Sequence, residues 1–172
     1  DFHIAYINKP GIPLYDTIIN HSSEYRIDDF AYKNNTLDFR AASTSLAIDM
    51  LVSKLKPTSV IVVGYSQGGQ VAPKVAVMNT EVNKVVMMSS NALDHIYDRI
   101  LLARQRALNN LMTHDEAQHV VDSLLTEQKN IYQDSLSIEK KFWGDHYRKW
   151  YSYSKTTPLE NMLRLQIPIL LI

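Results

Sequence analysis

The chain has 172 residues, a length that suggests one domain or part of one, and its 45% hydrophobic content is enough for a real core. Eighteen basic residues balance eighteen acidic ones, so nothing favours nucleic acid or an anionic membrane as a partner. There is no cysteine, which excludes a disulfide framework, a thiolate metal site and a cysteine nucleophile while leaving the compartment open.

Taken in order, Phe2 to Ile7 reads as a strand closed by the turn signal Lys9-Pro10-Gly11. From Ile12 to Asn34 the pattern is irregular and polar, which predicts loop or short helix. A helix is expected from an N-cap at Asn35 or Thr36, with Asp38 in its first turn, to a stop at Lys56-Pro57. Val60 to Val63 is a β-branched run that reads as a buried strand. It leads through Gly64-Tyr65-Ser66-Gln67-Gly68-Gly69 into an Ala/Val-rich helical pattern from Gln70 to Met78. Pro73 lies inside that helix, where it costs about 3 kcal/mol unless the helix kinks or starts late. Lys84 to Ser89 is a second short buried strand.

Residues 91–160 break this rhythm. Ile100, Ala103, Ala107, Leu108 and Leu111 recur at helical spacing, and Thr113-x-x-Glu116 is a capping box that opens another helix. A third helix is expected from Ser137 through Phe142, Trp143, Tyr147, Trp150 and Tyr151, interrupted by Gly144. Pro158 to Leu165 suggests a short helix before a last strand, Ile167 to Ile172. The chain begins at Asp1 without a signal-like segment, and its last strand stops in mid-pattern, so it reads as a piece of something longer. No apolar run approaches the ~20 residues of a membrane span.

The expected architecture is therefore α/β. Residues 1–90 form a core of strand, helix, strand, helix and strand, which implies right-handed crossovers and a parallel sheet. Residues 91–160 form a helical cap, and 161–172 return to the core. Ligands in such sheets bind at the carboxyl ends of the strands, and Ser66 is expected at such an end of a central parallel strand.

The chemistry concentrates in the G-x-S-x-G of residues 64–68. A nucleophile elbow needs a strand, a turn too tight for ordinary side chains, and a helix whose N-terminus points at the reacting group. The chain has five glycines, and three of them fall between positions 64 and 69. Gly64 and Gly68 flank Ser66 where a Cβ is expected to collide with neighbouring backbone, with the serine in strained φ/ψ space. The bland alternative is a strand-to-helix turn with an incidental serine.

Gly64-Tyr65-Ser66-Gln67-Gly68-Gly69 after a strand resembles the nucleophile elbow of the α/β-hydrolase superfamily. Gly68-Gly69-Gln70-Val71-Ala72-Pro73 is similar to capped esterase-like and peptidase-like members, in which a proline in this helix is familiar. Tyr6 to Gly11 matches the strand and glycine turn that precede the elbow, and Leu159 to Leu163 with Ile167 to Ile172 is similar to the approach to the acid-bearing strand. The resemblance implies a partial α/β-hydrolase parallel sheet with a helical cap insertion. It makes Ser66 the nucleophile and the backbone N–H of Gln67 half of the oxyanion hole. The Gln67 side chain is open between shaping the acyl site and a surface-facing or helix-capping role. The resemblance further places the acid in the loop after Ile172, the histidine beyond it, and the second oxyanion donor upstream.

The internal histidines after Ser66 are His95, His114, His119 and His146, and all fall in the expected cap. Asp94, Asp115 and Asp145 adjoin three of them, but an acid next in sequence does not usually orient an imidazole. His114 and His119 are five apart, about 140° round a helix, so they share no face for a metal. Tyr65 and Trp150 are the candidates for substrate contact, the rest of the aromatic group being expected as cap core. The sequence thus points to a serine hydrolase acting on a small-molecule ester or short peptide. No metal, organic cofactor, nucleic acid or membrane span is implied. A serine aminopeptidase on the same fold, or a non-catalytic binding protein that keeps the elbow, remain the alternatives.

Overall fold

The computed structural model describes residues 2–9 and 29–172. The expected Lys9-Pro10-Gly11 turn and most of the 12–34 segment fall outside the described residues. The elements are, in order, α1 (Asp29–Asn34), α2 (Leu37–Leu55), β1 (Val60–Tyr65), α3 (Gln67–Met78), β2 (Val82–Met88), α4 (His95–Leu108), α5 (His114–Gln133), β3 (Lys141–Phe142), β4 (Asp145–His146), α6 (Tyr147–Ser154), α7 (Pro158–Met162) and β5 (Ile169–Leu171).

Local chemistry sets most of these boundaries. The Thr36 hydroxyl accepts from the Phe39 N–H to start α2, and Lys56, in the left-handed conformation, ends it as its N–H reaches Val52 O. Thr113 and Thr157 each form a complete capping box, with Glu116 and Glu160, at the heads of α5 and α7. Pro73 is fully buried in α3, which runs unbroken from Gln67 and so does not start late. Its missing N–H leaves the Gly69 carbonyl, four residues earlier, without the usual helical partner.

The three strands β1, β2 and β5 form a parallel sheet in that order. Each connection crosses over through helices, as a parallel sheet requires. Val62, Val85 and Ile169 align across the sheet and face the main core, where Leu37, Ala41 and Ile48 of α2 meet Val71, Val75 and Ala76 of α3. Burying each such large aliphatic side chain stabilises the fold by about 1.5–3 kcal/mol. The alternate positions Ile61, Val63 and Tyr65 point to the other face and are exposed, as is Leu170.

Three expectations change here. Residues 2–9 carry no regular secondary structure, and Phe2, Ile4 and Tyr6 are almost fully exposed. Their alternation is local, whereas a strand needs a ladder, and none forms with the edge of β1. For the same reason β1, expected in the middle of the sheet, is an edge strand among the described residues. The helix expected from Ser137 to Tyr151 is instead the two-residue hairpin β3–β4 followed by α6. Trp143 (φ 45°) and Gly144 (φ 81°) both take the left-handed conformation that a tight hairpin turn demands.

The excursion from α4 to α6, between β2 and β5, has small cores of its own. Ala103, Ala107, Ala117 and Val121 join α4 to α5, while Ile96, Leu124, Ile131 and Tyr147 form a second cluster flanked by Phe142 and Trp150. His146 is fully buried between them and α1: its Nε2 lies 2.6 Å from Tyr32 O, and its Nδ1 accepts from the Lys149 N–H at 3.0 Å. A carbonyl can only accept and an amide N–H can only donate, so the ring is the neutral Nε2–H tautomer.

Candidate active site

Ser66 is the hinge between β1 and α3. Its N–H donates to Met88 O at 2.9 Å, continuing the ladder with β2, and its carbonyl accepts from the Gly69 N–H at 2.8 Å, beginning the helix. Between those two bonds the backbone is forced to φ 51°, ψ −122°. That is a positive φ with an extended-side ψ, a region glycine favours and a residue with a Cβ rarely enters, costing on the order of 1–3 kcal/mol.

The strain is coupled to an unusual side chain. A serine at a helix N-cap ordinarily accepts a hydrogen bond from the second or third amide of the helix. Ser66 occupies the N-cap of α3 and makes no such bond, and the residue is exposed. Its hydroxyl therefore stands clear of the helix end. The N–H groups of Gln67 and Gly68, in the first turn, meet no acceptor among the described residues and carry the positive end of the α3 dipole.

The glycines work differently from expectation. A Cβ on Gly64 would lie 2.1 Å from Gly68 O and 2.7 Å from Gly69 N, so β1 and the head of α3 can approach only because Gly64 has none. Gly68 faces open space; the second steric demand belongs to Gly69, where a Cβ would meet the Ser90 side chain at 2.4 Å. The α3 head thus packs on the loop after β2 through Gly69, a contact with no trace in the local motif.

A groove of about 1250 Å³ runs beside β1, walled by residues 2–7 and 9 on one side and by α2, β1 and the α3 head on the other. Ser66, Tyr65, Gln67 and Gly64 line it, which puts Tyr65, one of the two substrate-contact candidates, on the groove. Trp150 is not. Its indole N–H donates to Phe142 O at 2.6 Å, and its ring packs edge-on against Phe142, Trp143 and His95, away from the groove. The indole is committed to closing the hairpin on α6. No residue of 91–160 lines the groove, so the excursion does not roof it among the described residues.

The excursion does reach the elbow through one polar tie. Arg40 Nη1 of α2 donates to Gln67 Oε1 and to the Tyr153 hydroxyl of α6, both at 2.9 Å. The Gln67 side chain is therefore held, not left to the surface. Burial pushes the Tyr153 phenol up, against the opposing pull of Arg40, so it stays a neutral acceptor. Sequence reasoning missed this tie, because Arg40 sits mid-helix with no motif around it.

No described histidine hydrogen-bonds the Ser66 hydroxyl. His95 lies 3.7 Å from the Asp98 carboxylate and edge-on to Trp150, and burial lowers its pKa despite the acids beside it. His114 and His119 are exposed on α5, and His146 is locked as above. Among the described residues no group of three His, Asp or Glu side chains could hold a metal ion. No helix described is long and apolar enough to cross a membrane. No known family model matches this sequence, and no curated protein matches it either.

Proposed function

We propose that this chain carries the nucleophile of an α/β-hydrolase-type serine hydrolase that cleaves an ester or related acyl bond. The reading rests above all on Ser66, which is held at φ 51°, ψ −122° at the carboxyl end of a parallel strand with its hydroxyl uncapped. In this mechanism the Ser66 hydroxyl attacks the acyl carbon as a histidine takes its proton. The developing oxyanion is met by the Gln67 N–H, a donor of a kind whose loss costs about 10²–10³ in rate. Collapse expels the alcohol, and water then releases the acid and restores the serine. The histidine and its acid are the groups that the resemblance puts after Ile172. No metal or organic cofactor enters this scheme.

A fluorophosphonate probe on the full-length protein tests the proposal, since only an activated serine reacts. Labelling that maps to Ser66 and is lost in Ser66→Ala is the expected result. Ser66 unlabelled in folded protein would refute it. That outcome would favour the second reading, a binding protein that keeps the elbow, for which the lack of an imidazole bonded to Ser66 among the described residues speaks. Parallel p-nitrophenyl ester and aminoacyl anilide substrates separate an esterase from a peptidase.

A further inference from the structure

We propose that Arg40 is the specificity residue of the Ser66 groove and that the acyl donor it selects carries a free carboxylate. This rests on the hydrolase reading above and names its substrate class. Arg40 lines the groove together with Ser66 and Gln67. Its guanidinium is half-buried and bonded only through Nη1, to two neutral oxygens. The Nε and Nη2 donors meet no acceptor among the described residues, and no described carboxylate lies within ion-pair distance.

Two residues from Arg40, Asp38 is shared by Lys74 and Lys155, and Lys149 is held by Asp145. Asp38 and Asp145 are thus engaged by lysines, while the fork-shaped Arg40 cation has no carboxylate partner among the described residues. The flat edge left free on a guanidinium matches the two oxygens of a carboxylate. The Gln67 and Tyr153 bonds fix the plane of the group, so little rotamer freedom is lost on binding.

Lys9 adds to the field. It lines the same groove from the opposite wall, with no acid paired to it among the described residues. Desolvation of its ammonium lowers its pKa, and the cations of Arg40 and Lys149 lower it further against Asp145. Like charges brought together in a groove beside a candidate nucleophile are stabilised by an anion between them.

The test compares p-nitrophenyl hydrogen glutarate with its neutral methyl ester in the full-length protein. The expected kcat/KM preference for the half-acid is about 10- to 100-fold, the worth of one hydrogen bond to a charged group. Arg40→Gln should abolish that preference, slowing the half-acid far more than the methyl ester, and Arg40→Lys should keep part of it. Tyr153→Phe, which cuts the tie but keeps the charge, should retain the preference. Equal rates for the two esters in the wild type would overturn the inference, as would Arg40→Gln slowing both substrates alike. Binding of the half-acid anilide and its methyl ester to Ser66→Ala protein decides the point without turnover. Arg40-dependent, salt-sensitive binding of the acid alone supports it even if the fluorophosphonate probe fails, and equal binding of both refutes it.

Discussion

Substituting alanine at the three elbow glycines separates backbone necessity from motif habit. At Gly64 the new Cβ would sit 2.1 Å from Gly68 O, 2.5 Å from Gly68 C and 2.7 Å from Gly69 N. All three are main-chain atoms, so no rotamer change can relieve them. The head of α3 must retreat by roughly 1 Å to reach even a tight contact, which places the cost at the upper end of overpacking, about 3 kcal/mol. At Gly69 the clash is with Cβ and Oγ of Ser90, and a Cβ is tethered to backbone, so the expected loss is about 1–3 kcal/mol. At Gly68 nothing lies within 4 Å and the backbone is helical, so alanine should gain up to about 1 kcal/mol of helix propensity.

Urea denaturation followed by circular dichroism, with m-values compared to confirm one transition, reads all three directly. The predicted order of stability is Gly68→Ala at or above wild type, then Gly69→Ala, then Gly64→Ala. In thermal melts a loss of about 3 kcal/mol corresponds to roughly 6–12 °C for a chain of this size. The reasoning is refuted if Gly68→Ala costs as much as Gly64→Ala, because the steric demand would then follow the motif and not the packing.

Three further outcomes are expected. Ser66→Gly should be more stable than Ser66→Ala by about 1 kcal/mol, since glycine alone relaxes φ 51°; equal midpoints would mean the conformation carries no strain. Removing the N-cap hydroxyl of α5 with Thr113→Ala should cost about 1 kcal/mol, and Thr113→Ser should restore it in the same melt. The imidazole of His146 is held below its ordinary 6.5 by burial, with Lys149 and Arg148 adding to that effect and the Tyr32 carbonyl and Asp145 opposing it. Lys141 faces it across the hairpin. The unfolded chain therefore takes up a proton first as pH falls, so stability is full above the ordinary imidazole value and declines below it towards the lowered folded value. Melting temperatures from pH 8 to pH 5 should show this decline, and His146→Asn, which can still cap α6, should flatten it.

What was legible in the sequence is what short-range physics decides. The Thr36 cap and the Lys56 stop of α2, the strand-to-helix passage through Ser66, and the capping box at Thr113 each depend on residues within a turn of one another. What was not legible depends on distant partners. Whether Phe2 to Ile7 becomes a strand is decided by a ladder with another element, and the alternation of its side chains cannot supply one. The hairpin at Trp143-Gly144 was hidden because Phe142, Trp143, Tyr147 and Trp150 also fit a helical stripe. A glycine amid aromatic residues was its only local sign. The exchange of roles between Gly68 and Gly69 hangs on Ser90, and the hold on Gln67 hangs on Arg40 and Tyr153. None of these lies near the motif in sequence.

The weight of the functional proposal rests on an energetic asymmetry at one residue. Ser66 sits in a conformation costing about 1–3 kcal/mol and forgoes a capping bond worth about 1 kcal/mol. Glycine in its place would remove the first cost, and an ordinary N-cap geometry would remove the second. Together they are a sizeable share of the 5–15 kcal/mol by which domains are usually stable. No packing gain accompanies them, because the side chain is exposed and touches no cap partner. The arrangement does present to one groove a hydroxyl, two amides at a helix N-terminus and a guanidinium, the amides without an acceptor and the guanidinium without a carboxylate among the described residues. A fold selected for stability alone would have no use for that combination, whereas acyl transfer to serine needs the first two and selection of an anionic acyl group would use the third. Fluorophosphonate labelling and half-acid preference measure those two parts separately. Labelling without preference would leave the elbow as an acyl-transfer site and return Arg40 to a purely structural tie.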